Sequence, residues 1–210
     1  MGITLSYAVP VCNEFVEIQQ LITFLLKNKR SEDEIVVLYD SKNGDKEVEN
    51  YLRKMNTEKS LFRWASYSFD GNFAAMKNRL NSLCTGDYIF QIDADEMITE
   101  YMVRILPQIL TANTETDLIR VPRINKVEGL TENHIKQWGW NVDDKGRVNW
   151  PDMQWRIYKN DSRIRWHGEV HEKIIGHATH SILPLEEEFA LIHNKTIERQ
   201  EKQNNYYDTL

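Results

Sequence analysis

Apolar positions along the first 121 residues follow two alternating patterns. Short runs bounded by turn residues at 3–9, 34–39, 61–67, 87–92 and 118–121 predict buried strands. Between them, apolar residues recur three and four apart. Phe15, Ile18, Leu21, Ile22, Leu25 and Leu26 form one such stripe, with Asn13 as candidate cap; Phe73, Met76, Leu80 and Leu83 form another. Two more helices are expected over 44–55 and 101–112, the latter kinked at Pro107. Strands alternating with helices predict an α/β fold with a mostly parallel sheet flanked by helices. Ligands of such sheets bind at the carboxyl ends of strands, which selects 10–14, 40–45 and 93–96.

The second half loses this regularity. Residues 123–149 are polar, contain Gly129, Gly139 and Gly146, and read as a long functional loop. Short strands are expected at 154–159, 164–166 and 170–175, and a closing helix at 196–210. An apolar stretch, 189–192, precedes His193. Five of the six tryptophans fall here, and Trp138 and Trp140, flanking Gly139, are the candidates for an aromatic binding wall.

Composition narrows the class. At 210 residues and 41% hydrophobic, the chain suits a soluble globular domain. It contains no apolar run of 18 residues and no basic leader, so neither a membrane span nor a signal peptide is expected. Two cysteines, Cys12 and Cys84, point to a reducing, cytoplasmic setting. The net charge of −6 argues against a broad nucleic-acid footprint. Yet residues 120–173 hold 11 basic and 8 acidic side chains, a local balance of +3 that suits a small anion such as a diphosphate.

The candidate chemistry centres on Ile92-Asp93-Ala94-Asp95-Glu96. Carboxylates two apart in extended chain point the same way, so Asp93 and Asp95 could face one ligand. Such hard oxygen donors suit Mg2+ or Mn2+, with a diphosphate completing the shell. His167-Gly168-Glu169-Val170-His171-Glu172 has the wrong spacing for a zinc protease in either orientation.

These stretches carry a family resemblance. Residues 69–78 with 86–96 resemble the core of family 2 glycosyltransferases, and Ala8-Val9-Pro10-Val11-Cys12-Asn13-Glu14 resembles that family's first nucleotide-contacting motif. Residues 34–45 occupy the place of the second motif, although Asp-Ser-Lys-Asn-Gly-Asp departs from its usual acidic pair. The likeness continues through 154–158, 166–172 and 192–196. It implies a GT-A, Rossmann-like fold with a smaller acceptor-side β region and a C-terminal helix. One catalytic domain over 1–210 is expected, with a nucleotide-sugar half (1–122) and an acceptor half (123–210).

The resemblance also implies roles. Pro10, Val11, Asn13 and Glu14 would line the nucleoside pocket, and Asp40 would contact base or ribose. Lys77 and Asn78 would lie near ribose or diphosphate. Asp93, Ala94 and Asp95 would meet the nucleotide-sugar, with Asp93, Asp95 and His193 holding Mn2+ or Mg2+. Inversion at the anomeric carbon needs a base for the acceptor proton; Glu172 is the first candidate and Glu169 its rival. Trp138, Trp140, Arg156 and His171 would stand on the acceptor side. The expected reaction is metal-dependent inverting transfer from a UDP-sugar to a glycan, a lipid-linked glycan or a modified base in viral DNA. A nucleotidyltransferase, or a non-catalytic sugar-nucleotide-binding module, is the alternative.

Overall fold

The computed structural model of the protein describes residues 2–59, 61–169 and 172–207. The two most apolar runs become its central strands, β1 (Leu5–Val11) and β2 (Glu34–Asp40), buried along almost their whole length. β3 (Arg63–Tyr67) and β4 (Tyr88–Gln91) extend them, and all four run parallel in the order β3-β2-β1-β4. Register then decides where the chemistry gathers. Val11 pairs with Tyr39 and Ala8 with Gln91, while Ile92 N–H reaches Ala8 O at 3.0 Å. The segments after β1, β2 and β4 therefore leave the sheet at one edge.

α1 (Phe15–Asn28), α2 (Lys46–Lys59) and α4 (Glu100–Ala112) supply one buried face to the sheet. α3 (Phe73–Asn81) covers the other, beside a two-stranded sheet of β8 (Arg165–His167) and β9 (Lys173–Ile175). Local chemistry explains some boundaries. Asn72 caps α3 by accepting from Ala75 N at 2.8 Å, and Thr99 caps α4 by accepting from Met102 N at 3.0 Å. Asn13, expected as a cap, makes no such bond; α1 starts behind Glu14. α4 continues past Pro107, because Met102, Val103, Leu106 and Leu110 are buried on both sides of it.

The expected loop over 123–149 is overturned. β6 (Leu118–Glu128) runs on through most of its first third, followed by α5 (Glu132–Trp138), and β7 starts at Val148 and ends at Lys159. β7 lies antiparallel between β4 and β6. The reason is physical. The second half of β6 carries Arg123, Asn125 and Lys126 along an open cleft, so its sequence lacks the apolar signal of a strand. β11 (Leu191–Thr196) repeats the pattern: it pairs parallel with β6, and His193 lies within the strand rather than after it. β5 (Glu96–Met97) pairs with β11, and β10 (His180–Ile182) with the start of β6. α6 (Ile197–Tyr207) follows β11 directly. The architecture is the expected one: a mostly parallel sheet flanked by helices, a small β region and a C-terminal helix. Among the described residues, no helix is long and apolar enough to cross a membrane.

Candidate active site

Where β1, β2 and β4 end, a cleft of about 1190 Å³ opens between them and the polar halves of β6, β7 and β11. Its floor at the β1–β2 end is a tightly bonded pair of loops. Asp40 is 3% exposed. Its Oδ1 accepts from the backbone of Lys42 (2.9 Å), Asn43 (3.2 Å) and Phe69 (3.3 Å), and its Oδ2 from Asn43 Nδ2 at 2.8 Å. Most of its hydrogen-bonding capacity is thus spent on shaping the loop that presents Asn43. Gly44 closes that loop with a 3.0 Å bond to Asp40 O; a Cβ there would fall 2.3 Å from the same oxygen. Glu14 folds back to accept from Cys12 N (2.8 Å) and Asn13 N (3.1 Å). Burial raises its pKa, with Asp95 adding to the effect. The Cys12 thiol is pushed up to about 12 by burial and by Asp40 and Glu14. Pro10, Val11 and Asn13 line the same end.

The segment after β4 turns sharply, where extended chain was expected. Glu96 N–H bonds Asp93 O at 2.9 Å, and Glu96 Oε2 accepts from Asp93 N at 3.1 Å. Glu96 is fully buried and takes Arg156 (2.7 Å) and Arg123 (3.1 Å) on its other oxygen. Asp93 and Asp95 consequently acquire different partners. Asp93 Oδ2 accepts from Arg156 Nη2 at 2.6 Å; burial opposes its charge, but the guanidinium holds its pKa well below the carboxylate range. Arg156, expected on the acceptor side, lines the cleft and is almost wholly buried against this turn, where it pairs with Asp93 and Glu96. Ala94 is buried at the cleft wall.

Asp95 meets His193. Its Oδ2 lies 3.2 Å from Nε2, while Nδ1 of the same ring stands 2.9 Å from Asn125 Oδ1. With Nδ1–H donating to Asn125, Nε2 and the carboxylate oxygen face each other as two acceptors. With the other tautomer Nε2–H donates to Asp95, and the same 3.2 Å spacing suits two ligands of one cation. Burial opposes the Asp95 charge, but His193 and then Arg199 keep its pKa lowered. Arg199, from α6, spans Glu17 (2.7 Å), Glu14 (3.3 Å) and Asp95 (3.6 Å), fastening the last helix over this end of the cleft. Among the described residues no group of three or more His, Cys, Asp or Glu is gathered as a ready-made metal cage. A cation bound at Asp95 and His193 would therefore draw most of its shell from a ligand and water.

The opposite wall carries Glu172, paired with Lys77, each side chain 14% exposed. The Lys77 ammonium also sits 4.2 Å above the Trp166 ring. Glu169 is exposed and does not line the cleft. Asn78 faces elsewhere: its amide exchanges two 2.9 Å bonds with the Trp166 backbone, tying α3 to β8. Trp140 lines the cleft; Trp138 stands behind it at 4.7 Å, stacked on His134 at 5.1 Å. His171 lies outside the described residues.

Sequence reasoning missed Arg199, Arg123 and Asn125. Arg123 and Asn125 had a legible signal, since they alternate with buried Ile124 as strand residues do. Arg199 had none, because a polar helix reads as solvated until its position over the cleft is known.

Comparison with known proteins agrees with this layout. The family model described as Glycosyl transferase family 2 matches residues 6–178. No curated protein matches the chain. Among solved structures, residues 1–349 of S. aureus TarS share 15% identity at a TM-score of 0.58, over 92% of this chain and 60% of that one. The longer S. aureus TarS structure gives 14% and 0.62, over 92% and 37%. The 1–349 form in complex with UDP-GlcNAc gives 16% and 0.59, over 93% and 59%. This chain thus spans less than two thirds of those proteins, and at such identity they speak for the fold. The family model, which takes in both the Asp93–Glu96 turn and the Glu172 wall, goes further: the chain belongs to glycosyl transferase family 2.

Proposed function

We propose that this glycosyltransferase uses a UDP-sugar and transfers the sugar with inversion, assisted by a divalent cation. The observation that carries the reading is the opposition of two walls in one cleft. Asp95 Oδ2 and His193 Nε2 lie 3.2 Å apart, a spacing that two ligands of one cation can adopt, and Glu172 stands on the far side. The solved complexes of S. aureus TarS with UDP and with UDP-GlcNAc support a UDP-sugar donor for a chain of the same fold.

The nucleoside would lie against Pro10, Val11 and Asn13, on the loops that Asp40 and Glu14 hold in shape. Oxygen from Asp95 and nitrogen from His193 suit Mn2+, and Mg2+ less well. When bound, the cation would neutralise charge growing on the departing diphosphate. Arg199 and Lys195 line the same end and add positive charge to it. Glu172 would accept the proton of the acceptor hydroxyl as that oxygen bonds the anomeric carbon and the bond to the diphosphate breaks. Its present partner, Lys77, keeps the carboxylate aimed and must yield as the acceptor enters. The acceptor, a glycan, a lipid-linked glycan or a modified DNA base, would approach past Trp140 and Trp166. The cytoplasmic setting belongs to the same proposal.

Calorimetry tests the donor half. UDP should bind more tightly with Mn2+ than with chelator, and Asp95→Asn should erase most of the difference. Equal affinity in all three conditions would remove the cation from the reading.

A further inference from the structure

At the end of the cleft where β1 and β2 stop, one carboxylate gathers two loops. Asp40 Oδ1 accepts from Asn43 N–H, between β2 and α2, at 3.2 Å and from Phe69 N–H, between β3 and α3, at 3.3 Å. The loop after β1 is tied to the same place, because Asp45 N–H donates to Cys12 O at 3.2 Å. Gly44 leaves no slack between them: a Cβ there would fall 2.4 Å from the Tyr39 ring and 2.8 Å from Cys12 O. Asn43 and Phe69 therefore stand side by side, and both line the cleft. Phe73, another lining residue, meets Phe69 with 4.8 Å between ring centroids.

The sense of the Asn43 amide is fixed by its neighbour. Asp40 accepts from three backbone N–H groups and, on Oδ2, from Asn43 Nδ2 at 2.8 Å. A carboxylate offers only acceptors, so the end of the amide that faces it is the NH2 group. Turning the amide over would set its carbonyl against the carboxylate. The free end is thus Oδ1, an acceptor that has no hydrogen-bond partner among the described residues. Asn43 itself is exposed, on the rim of the cleft. A locked acceptor beside an aromatic pair suits a flat ring that carries an N–H donor on its edge.

We infer that Asn43 selects the nucleobase of the donor: its Oδ1 accepts from the imino N–H of uracil, whose ring lies beside the Phe69–Phe73 pair. Cytosine carries a bare ring nitrogen at that position, so acceptor would face acceptor. The amide cannot turn over to suit cytosine without breaking its bond to Asp40. Asp40, expected from the family resemblance to contact base or ribose, is then a positioning residue that acts through Asn43. The inference rests on the UDP-sugar reading for the presence of a nucleoside; the choice of Asn43 rests on the bonds above.

The test is calorimetry of UDP, CDP and N3-methyl-UDP, in saturating Mn2+, on wild type and Asn43→Ala. Wild type should prefer UDP to CDP by about tenfold, and methylation of N3 should weaken binding by at least about as much. In Asn43→Ala the preference for UDP over CDP should shrink to about twofold or less. The thermal midpoint should change little, because the Asn43 backbone N–H still serves Asp40. UDP and CDP have nearly the same shape, so a variant that merely loosened the loop would weaken both alike and keep their ratio. A UDP preference that survives in Asn43→Ala overturns the assignment and leaves the UDP-sugar reading standing. Equal binding of UDP and CDP by wild type, or a methyl group without effect, overturns it as well. Binding of none of the three nucleotides overturns the donor reading, and this inference with it.

Discussion

Glu172 and Asp40 are both carboxylates in one cleft, yet their surroundings give them opposite tasks. Among the described residues Glu172 pairs with Lys77, and it lines the cleft. Glu172→Gln keeps the shape but cannot take a proton, so kcat should fall by about 10²–10⁴-fold while UDP affinity holds. Steady-state rates beside calorimetry check this, and an unchanged kcat would move the base elsewhere. Asp40 is the reverse case. Its oxygens hold three backbone N–H groups, and Asp40→Ala leaves the buried Phe69 N–H without an acceptor and releases the loop at Lys42 and Asn43. An orphaned buried donor costs about 1–3 kcal/mol. The variant should therefore lose stability and UDP affinity together, read as a lower urea midpoint and weaker binding. Cys12 belongs to the same neighbourhood. With its thiol pushed up to about 12, it should resist alkylation at pH 8 in the native protein and react once urea unfolds it.

Among the elements, the turn between β4 and β5 concentrates the most charge. Asp93, Glu96, Arg123 and Arg156 form a hydrogen-bonded network around the buried Glu96 and Arg156. Replacing Arg156 by Met takes the cation from Asp93 and leaves the buried Glu96 with Arg123 alone. Breaking a buried pair in this way costs about 3–5 kcal/mol, so Arg156→Met should unfold at clearly lower urea concentration. Acid should act on this network and on the other paired carboxylates. The pKa values of Asp93, Asp95 and Asp152 are lowered in the folded state, and that of Asp117 falls to about 2. A carboxyl depressed on folding stabilises the protein above its unfolded value, and that contribution is lost as pH falls through the folded value. Stability should hold from neutral pH to about 4 and drop between about 4 and 2. Urea midpoints across this range measure it; Asp117→Asn should flatten the last part of the decline.

Across the whole molecule, strands β6, β7 and β11 join the two halves of the chain into one sheet, so the cleft is bounded by segments far apart in sequence. Asp95 and His193 are 98 residues apart, and Lys77 and Glu172 are 95 apart. α6 closes one end of the cleft through Arg199 and its bonds to Glu14, Glu17 and Asp95. This arrangement joins helix docking to the charge state of the cleft: the guanidinium balances carboxylates that a bound cation would otherwise balance.

Much of this was legible without coordinates. Buried parallel strands are continuous apolar runs, and amphipathic helices repeat at three and four, so β1, β2, β4, α1 and α3 could be read directly. Short motifs in order also carried the family. What the chain alone does not reveal are strands whose exposed face lines a cleft. The polar halves of β6 and β11 look like loop, because hydrophobic patterning reports burial in a core and not membership of a sheet. Nor does spacing reveal partners. Asp93 and Asp95 stand two apart in every reading, but a single buried Glu96 bends the chain and sends one to Arg156 and the other to His193. Sequence determined which residue types were available for the chemistry. Tertiary structure decided which of them meet, because ion pairs and hydrogen bonds depend on distances of a few ångströms that pairing register and turn geometry set.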